Sequence, residues 1–256
     1  MNKRFLLECA TDSAESALAA AAGGADRLEL CANLIIGGTT PTLALYDEVR
    51  SHSDIPLYIL IRPRFGDFLY SDYEANVICR EIEMFQKAGA EGVVIGSLSK
   101  DGYLNMEHMK RFMDCAKDMS VTLHRAFDMS VDPFATLEQA KELGIQTILT
   151  SGQKASSLEG IDLYERLIEK AAGEITILAG GGIKASTIET LLQKTSLTAF
   201  HMSGKIVKES AMEYRNPSVS MGLPGISEYN IWLTDEENVR EARNVLDKAA
   251  KGNCCI

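Results

Sequence analysis

Residues 57–96, LYILIRPRFGDFLYSDYEANVICREIEMFQKAGAEGVVIG, read as strand, helix and strand in one unit. The run 57–62 is short and apolar, the signature of a strand buried on both faces. A helical pattern spans Asp72 to Ala88, and Gly89 stands where that helix must stop. A second apolar run follows at 92–96. Two strands joined through a helix pair in parallel, because an antiparallel partner needs only a tight turn.

The same alternation extends in both directions. Strands are predicted at 4–9, 27–31, 57–62, 92–96, 121–125, 146–150, 175–179 and 198–202. Helices are predicted at 13–23, 43–51, 72–88, 106–118, 133–143, 158–171, 185–193 and 235–250. Eight strands and eight helices in strict βα order favour an α/β fold of one domain over 1–256, a closed TIM (β/α)8 barrel. An open dinucleotide-binding sheet would carry G-x-G-x-x-G after its first strand, and none occurs. Residues 205–232, with Pro217, Gly222, Pro224 and Gly225, break the rhythm and read as an irregular segment before the last helix.

Composition narrows the function. The 256 residues are 46% hydrophobic and 24% charged, enough for a full core. A net charge of -10 argues against nucleic acid as the main partner. No apolar run approaches the roughly 18 residues of a membrane span. The start, MNKRFLLECATD, is too short in apolar residues for a secretory leader. Six cysteines (Cys9, Cys31, Cys79, Cys115, Cys254, Cys255) are scattered without a C-x-x-C, which reads as a reducing, cytoplasmic compartment.

In a barrel, strand residues alternate between the surrounding helices and the interior. With the apolar set facing the helices, Glu8, Cys31, Arg62, His124 and His201 point into the C-terminal mouth. Barrel active sites lie there. Glu29 is expected one layer deeper, and Cys9 faces the helices. His124 is the expected proton mover, with Glu8 or Glu29 as its partner and Asp128 close by in His124-Arg-Ala-Phe-Asp128. Arg62 and Arg64, flanking Pro63, are expected to clamp a carboxylate or phosphate. Arg125, Ser151, His201, Ser203 and the glycines Gly180, Gly181 and Gly182 complete the ligand-binding candidates. A glycine turn after strand seven is the usual phosphate cradle of barrels. His52 and His108 sit in helical stretches and carry no weight.

Several longer motifs add a resemblance. They are Gly24-Ala-Asp-Arg-Leu-Glu-Leu-Cys31, Gly37-Gly-Thr-Thr-Pro-Thr42, Ile61-Arg-Pro-Arg-Phe-Gly-Asp-Phe68 with Tyr70, Leu123-His-Arg-Ala-Phe-Asp128, Ile148-Leu-Thr-Ser-Gly152 and Ala179-Gly-Gly-Gly182. From about Glu8 to Ser203 the sequence resembles the CutC family, proteins named for copper homeostasis. It departs mildly at Thr39 and Thr42, where the family usually has Leu and Ser. The resemblance implies a TIM barrel, a cytoplasmic location, a homo-oligomer and copper binding. It implies copper(I) ligands at Cys31, which closes the first motif, and at Cys9, at the start of the stretch that carries the resemblance.

Two expectations from different classes follow. One is copper(I) handling through Cys31, helped by Cys9 or a histidine. The other is an enzyme working by acid/base chemistry on a small anionic or phosphorylated substrate. The residues at the mouth are mostly Glu, Arg, His, Asp and Gly, which suit an organic anion better than a soft metal.

Overall fold

The computed structural model describes residues 5–219, 221, 222, 225 and 227–252. Eight parallel strands close a barrel in chain order: β1 (Leu6–Thr11), β2 (Arg27–Leu30), β3 (Leu57–Leu60), β4 (Gly92–Ile95), β5 (Ser120–Leu123), β6 (Thr147–Thr150), β7 (Thr176–Ala179) and β8 (Ala199–Met202). β8 returns to pair with β1, with Glu8 opposite His201. The helices α1 (Ala14–Ala22), α2 (Leu43–His52), α3 (Asp72–Ala88), α4 (Met106–Ala116), α5 (Pro133–Glu142), α6 (Ile161–Ala171), α7 (Ala185–Lys194) and α8 (Glu236–Ala250) alternate with them. The TIM barrel expected from the alternation is the fold. Among the described residues no helix is long and apolar enough to cross a membrane.

Local chemistry sets the helix starts. Ser71 and Glu74 form a reciprocal capping box on α3. The Asp132 side chain accepts from the Phe134 and Ala135 amides, with Pro133 opening α5. Between strands and helices, apolar side chains form one continuous layer that includes Leu7, Cys9, Leu28, Leu30, Ile59, Phe85, Phe112 and Phe200. Each large member stabilises the fold by roughly 1.5–3 kcal/mol through burial. The interior holds two smaller clusters, Cys31 with Leu60 and Val94, and Leu149 with Leu178 and Ala199. Gly92 gives the second parity room: a Cβ there would lie 2.5 Å from the Tyr58 ring.

One expectation is corrected here. The stretch 205–232 is not irregular throughout. Its ends form β9 (Lys205–Glu209) and β10 (Asn230–Thr234), an antiparallel ribbon outside the barrel. Every residue of β9 is exposed, so no alternation of apolar and polar side chains marked it as a strand. The ribbon is fastened at its base, where the Thr234 amide donates to Ser16 Oγ at 3.0 Å and its hydroxyl to the Ser203 carbonyl at 2.9 Å. Pro224, Cys254 and Cys255 lie outside the described residues.

Candidate functional site

The parity rule places the expected groups inside the barrel, and the stagger of the strands decides their depth. Glu8 is in register with Arg27, and Glu29 with Ala10, one step nearer the mouth. The order expected from sequence is therefore reversed. Glu29 lines the mouth cavity and Glu8 lies beneath it. The cavity measures about 110 Å³ and is walled by Glu29, Leu34, Gly37, Leu60, Arg62, Phe68, His124, Arg125, Leu149 and His201.

Under the cavity runs a buried charge chain. Arg27 Nε donates to Glu8 Oε2 at 2.5 Å, and the other Glu8 oxygen meets His201 Nδ1 at 2.7 Å. His201 Nε2 then faces Glu29 Oε2 at 3.7 Å. Burial drives the Glu8 pKa up, but Arg27 and His201 outweigh it and hold it below the usual value. Burial opposes protonation of His201, and the Glu29 and Glu8 carboxylates outweigh it, holding its pKa up. Glu29 has no such compensation. Burial raises its pKa to about 7, with Glu8 adding to the rise against His201 and Arg27. Its carboxylate accepts no hydrogen bond among the described residues.

His124, the expected proton mover, stands in the cavity wall. Its Nδ1 accepts from the Ala126 amide at 3.1 Å, so the neutral ring carries its proton on Nε2. Burial, and then the Arg62 charge, push its pKa down to about 3. A ring held neutral near pH 7 presents an N–H at Nε2, and that atom is buried without a partner. Gly96 makes its place, since a Cβ would come within 2.6 Å of the ring. Phe68, half-buried, packs on the other side with ring centroids 4.7 Å apart.

Arg62 and Arg64 do not converge. Arg62 turns inward, 7% exposed, and its terminal nitrogens donate to the carbonyls of Gly37, Gly38 and Gly66. It meets no carboxylate among the described residues, and its Nε is buried unpartnered. Arg64 points away, bound to Glu74 at 2.5 Å, to Asp67 and to three backbone carbonyls of its own loop. Pro63 between them puts the two side chains on opposite sides. Arg64 is a fastener of the β3–α3 loop, and the two-arginine clamp is absent.

Asp128 is likewise spent on structure. Its oxygens accept from Arg125 Nε, the Thr150 hydroxyl, the Ser151 amide and hydroxyl, and the Gln153 amide. Arg125 reaches the cavity wall while bonded to Asp128 and to Ser151 Oγ, each at 2.7 Å. Gly180 sits against Leu149 and His201, where a Cβ would lie 2.6 Å from a Leu149 methyl. Gly181 and Gly182 have φ of +90° and +80°, and their amides have no hydrogen-bond partner among the described residues. Ser203 offers its carbonyl to Thr234 and does not line the cavity.

Cys9 and Cys31 are not gathered. Cys9 belongs to the layer under the helices and Cys31 to an interior cluster, on opposite faces of the sheet. Cys31 Sγ donates to the Thr11 carbonyl at 3.4 Å and is absent from the cavity wall. Copper(I) needs converging thiolates or imidazoles. Here burial, with Glu29 and Asp12 nearby, pushes the Cys31 thiol well up, and burial with Glu8 pushes Cys9 to about 12. No group of three or more His, Cys, Asp or Glu among the described residues is placed to hold a metal. These residues do not fit a copper(I) site. Phe68, Leu34 and Leu149 are the wall residues that reasoning by charge passed over; Phe68 stood within the Ile61–Phe68 motif.

The sequence pattern of the CutC family matches residues 5–206. A human copper homeostasis protein cutC homolog is 44% identical, the alignment covering 94% of this chain and 90% of that one. The chain belongs to the CutC family. A family protein CutC of Pasteurella multocida is 40% identical over 94% of this chain and 99% of its own. The crystal structure of a Streptococcus agalactiae CutC superposes with a TM-score of 0.74 at 26% identity, covering 78% of this chain and 98% of that one. A Pyrococcus furiosus N-(5'-phosphoribosyl)anthranilate isomerase, with a TM-score of 0.54 at 13% identity over 96% of this chain and 99% of its own, shares the fold alone. The family's copper name and the chemistry of its barrel mouth point in different directions.

Proposed function

We propose that the barrel mouth binds a small organic anion, a carboxylate or a phosphate, and moves a proton on it. The observation that carries this is one cavity walled by the buried Glu29 carboxylate together with Arg62 and His124, whose Nε and Nε2–H are buried without a partner. A buried polar atom without a partner costs about 1–3 kcal/mol, more when charged, so these two atoms together favour a ligand that satisfies them. Arg62 holds the anionic group. The neutral His124 donates to a carbonyl oxygen and stabilises the enolate as charge develops there. Glu29, titrating close to neutral pH, takes the proton from the adjacent carbon. Glu8, Arg27 and His201 position Glu29 and set its charge. Arg125, in the same wall, extends the cationic side toward a phosphate.

The test is hydrogen exchange in D2O on a panel of small 2-oxo acids and sugar phosphates, followed by NMR with the full chain. The expected result is exchange of the C–H beside the carbonyl of one substrate class, slowed about 10²–10⁴-fold in Glu29→Gln. Exchange that persists unchanged in Glu29→Gln overturns the assignment.

A second reading, copper(I) carried through Cys31 with Cys9 or a histidine, is favoured by the relatives' names. It includes a reducing cytoplasmic compartment, in keeping with free thiols at Cys9, Cys31, Cys79 and Cys115, and a homo-oligomeric assembly. Copper(I) titration of the wild type, Cys31→Ser and a chain lacking Cys254 and Cys255 tests it. Tight one-to-one binding lost only with Cys31 supports it. Binding that survives Cys31→Ser, or disappears with the tail, overturns it.

A further inference from the structure

Arg62 and Phe68 each line two hollows. Besides the mouth cavity they border a groove of about 540 Å³, between the loops that follow β3, β4 and β5. Its walls carry the apolar side chains of Phe65, Phe68, Leu69, Leu98 and Met129, with Asp67, Ser99 and Lys100 among them. Phe65 is 65% exposed and Met129 67%. Large apolar side chains held open to water beside a binding cavity mark a contact surface.

The groove is built rather than loose. Arg64 ties the β3–α3 loop together through Glu74, Asp67 and backbone carbonyls. The Leu98 amide donates to the Phe68 carbonyl at 2.8 Å, and the Val131 amide to the Gly102 carbonyl at 3.0 Å. Bonds that fix the walls in advance lower the cost of filling them. Phe68 is the partition: the Arg62 guanidinium lies 5.1 Å from its ring centroid, and His124 packs on the same ring.

The occupant follows from the two ends. The inner end offers a buried cation, and the outer end offers aromatic, leucine and methionine side chains. We infer that the ligand of the mouth is an amphiphilic anion, whose carboxylate or phosphate sits at Arg62 and whose apolar tail passes Phe68 into the groove. The inference rests on the anion-binding reading of the mouth and adds the class of molecule.

Calorimetric titration of the full chain with paired probes tests it: acetate against 3-phenylpropanoate, and methylphosphonate against 3-phenylpropylphosphonate. The two pairs distinguish a carboxylate head from a phosphate head. The tailed member of one pair is expected to bind about tenfold tighter or more, from the apolar surface it buries. In the double variant Phe65→Ser, Met129→Ser that ratio falls close to one, and unchanged thermal melting shows the exposed positions still fold. Arg62→Met removes binding of both members of the pair.

If the short anions bind through Arg62 and the tail adds nothing, this inference fails while the reading of the mouth stands. If neither short anion binds in an Arg62-dependent way, both fail. If the double variant turns an oligomer into a monomer in sedimentation, the groove is a contact between copies and the inference is overturned.

Discussion

Glu29 and His124 show how far a residue's type underdetermines its role. The alternation of apolar and polar side chains along each strand was enough to turn both inward. It did not reveal that Ala126 would fix the His124 tautomer, that Arg62 would keep the ring neutral, or that strand stagger would bring Glu29 above Glu8. The last two depend on neighbours far apart in the chain, and the first on a tight turn of two residues that side-chain alternation does not describe. Glu29 carries the clearest consequence, because burial raises its pKa from 4.5 to about 7. NMR titration of carbon-13-labelled glutamate should show one carboxyl titrating near 7, absent in Glu29→Gln. Exchange catalysis should rise with pH through that same value, since the base works only when ionised. A Glu29 resonance titrating near 4.5 would remove the residue from the role of base.

At the scale of elements, the β3–α3 connection was the most legible and the ribbon the least. The motif Ile61–Phe68 announced a stiff, charged turn, although it did not say that Arg62 and Arg64 would part company. Glu74 joins the two jobs of this connection. It closes the capping box with Ser71 and anchors Arg64, and its pKa is lowered by the Ser71 amide and by Arg64. Ser71→Ala should therefore cost about 1 kcal/mol in urea denaturation, the usual loss for an N-cap hydroxyl. A loss below about 0.3 kcal/mol, under the roughly 0.5 kcal/mol at the low end for an N-cap, would show that the tertiary bonds alone hold the start of α3. The β9–β10 ribbon was not legible because β9 is exposed throughout and only the end of β10 is buried, so its pairing rests on backbone hydrogen bonds and on pairs such as Lys205 over Trp232.

For the whole molecule, closing the barrel forces ionisable groups into an interior that must keep them at fixed charge, and this couples stability to pH. The folded state holds His124 near 3 against 6.5 when unfolded, so its contribution is complete above pH 6.5 and is lost as pH falls toward 3. Glu29 works in the opposite sense. Its contribution is complete below 4.5 and is lost as pH rises to about 7. Glu8, held low, titrates below this interval, and His201, held high, titrates above it. Between pH 4.5 and 6.5 the two opposing slopes cancel, and these groups leave stability level. His124→Gln removes one slope and keeps the other. The difference in unfolding free energy between wild type and variant should then grow in favour of the wild type by about 1.4 kcal/mol per pH unit across that interval. Urea denaturation at pH 4.5, 5.5 and 6.5 measures it. Parallel profiles would mean that His124 takes up a proton in the folded barrel, and a protonated ring there would undo its assignment as a neutral donor beside Arg62.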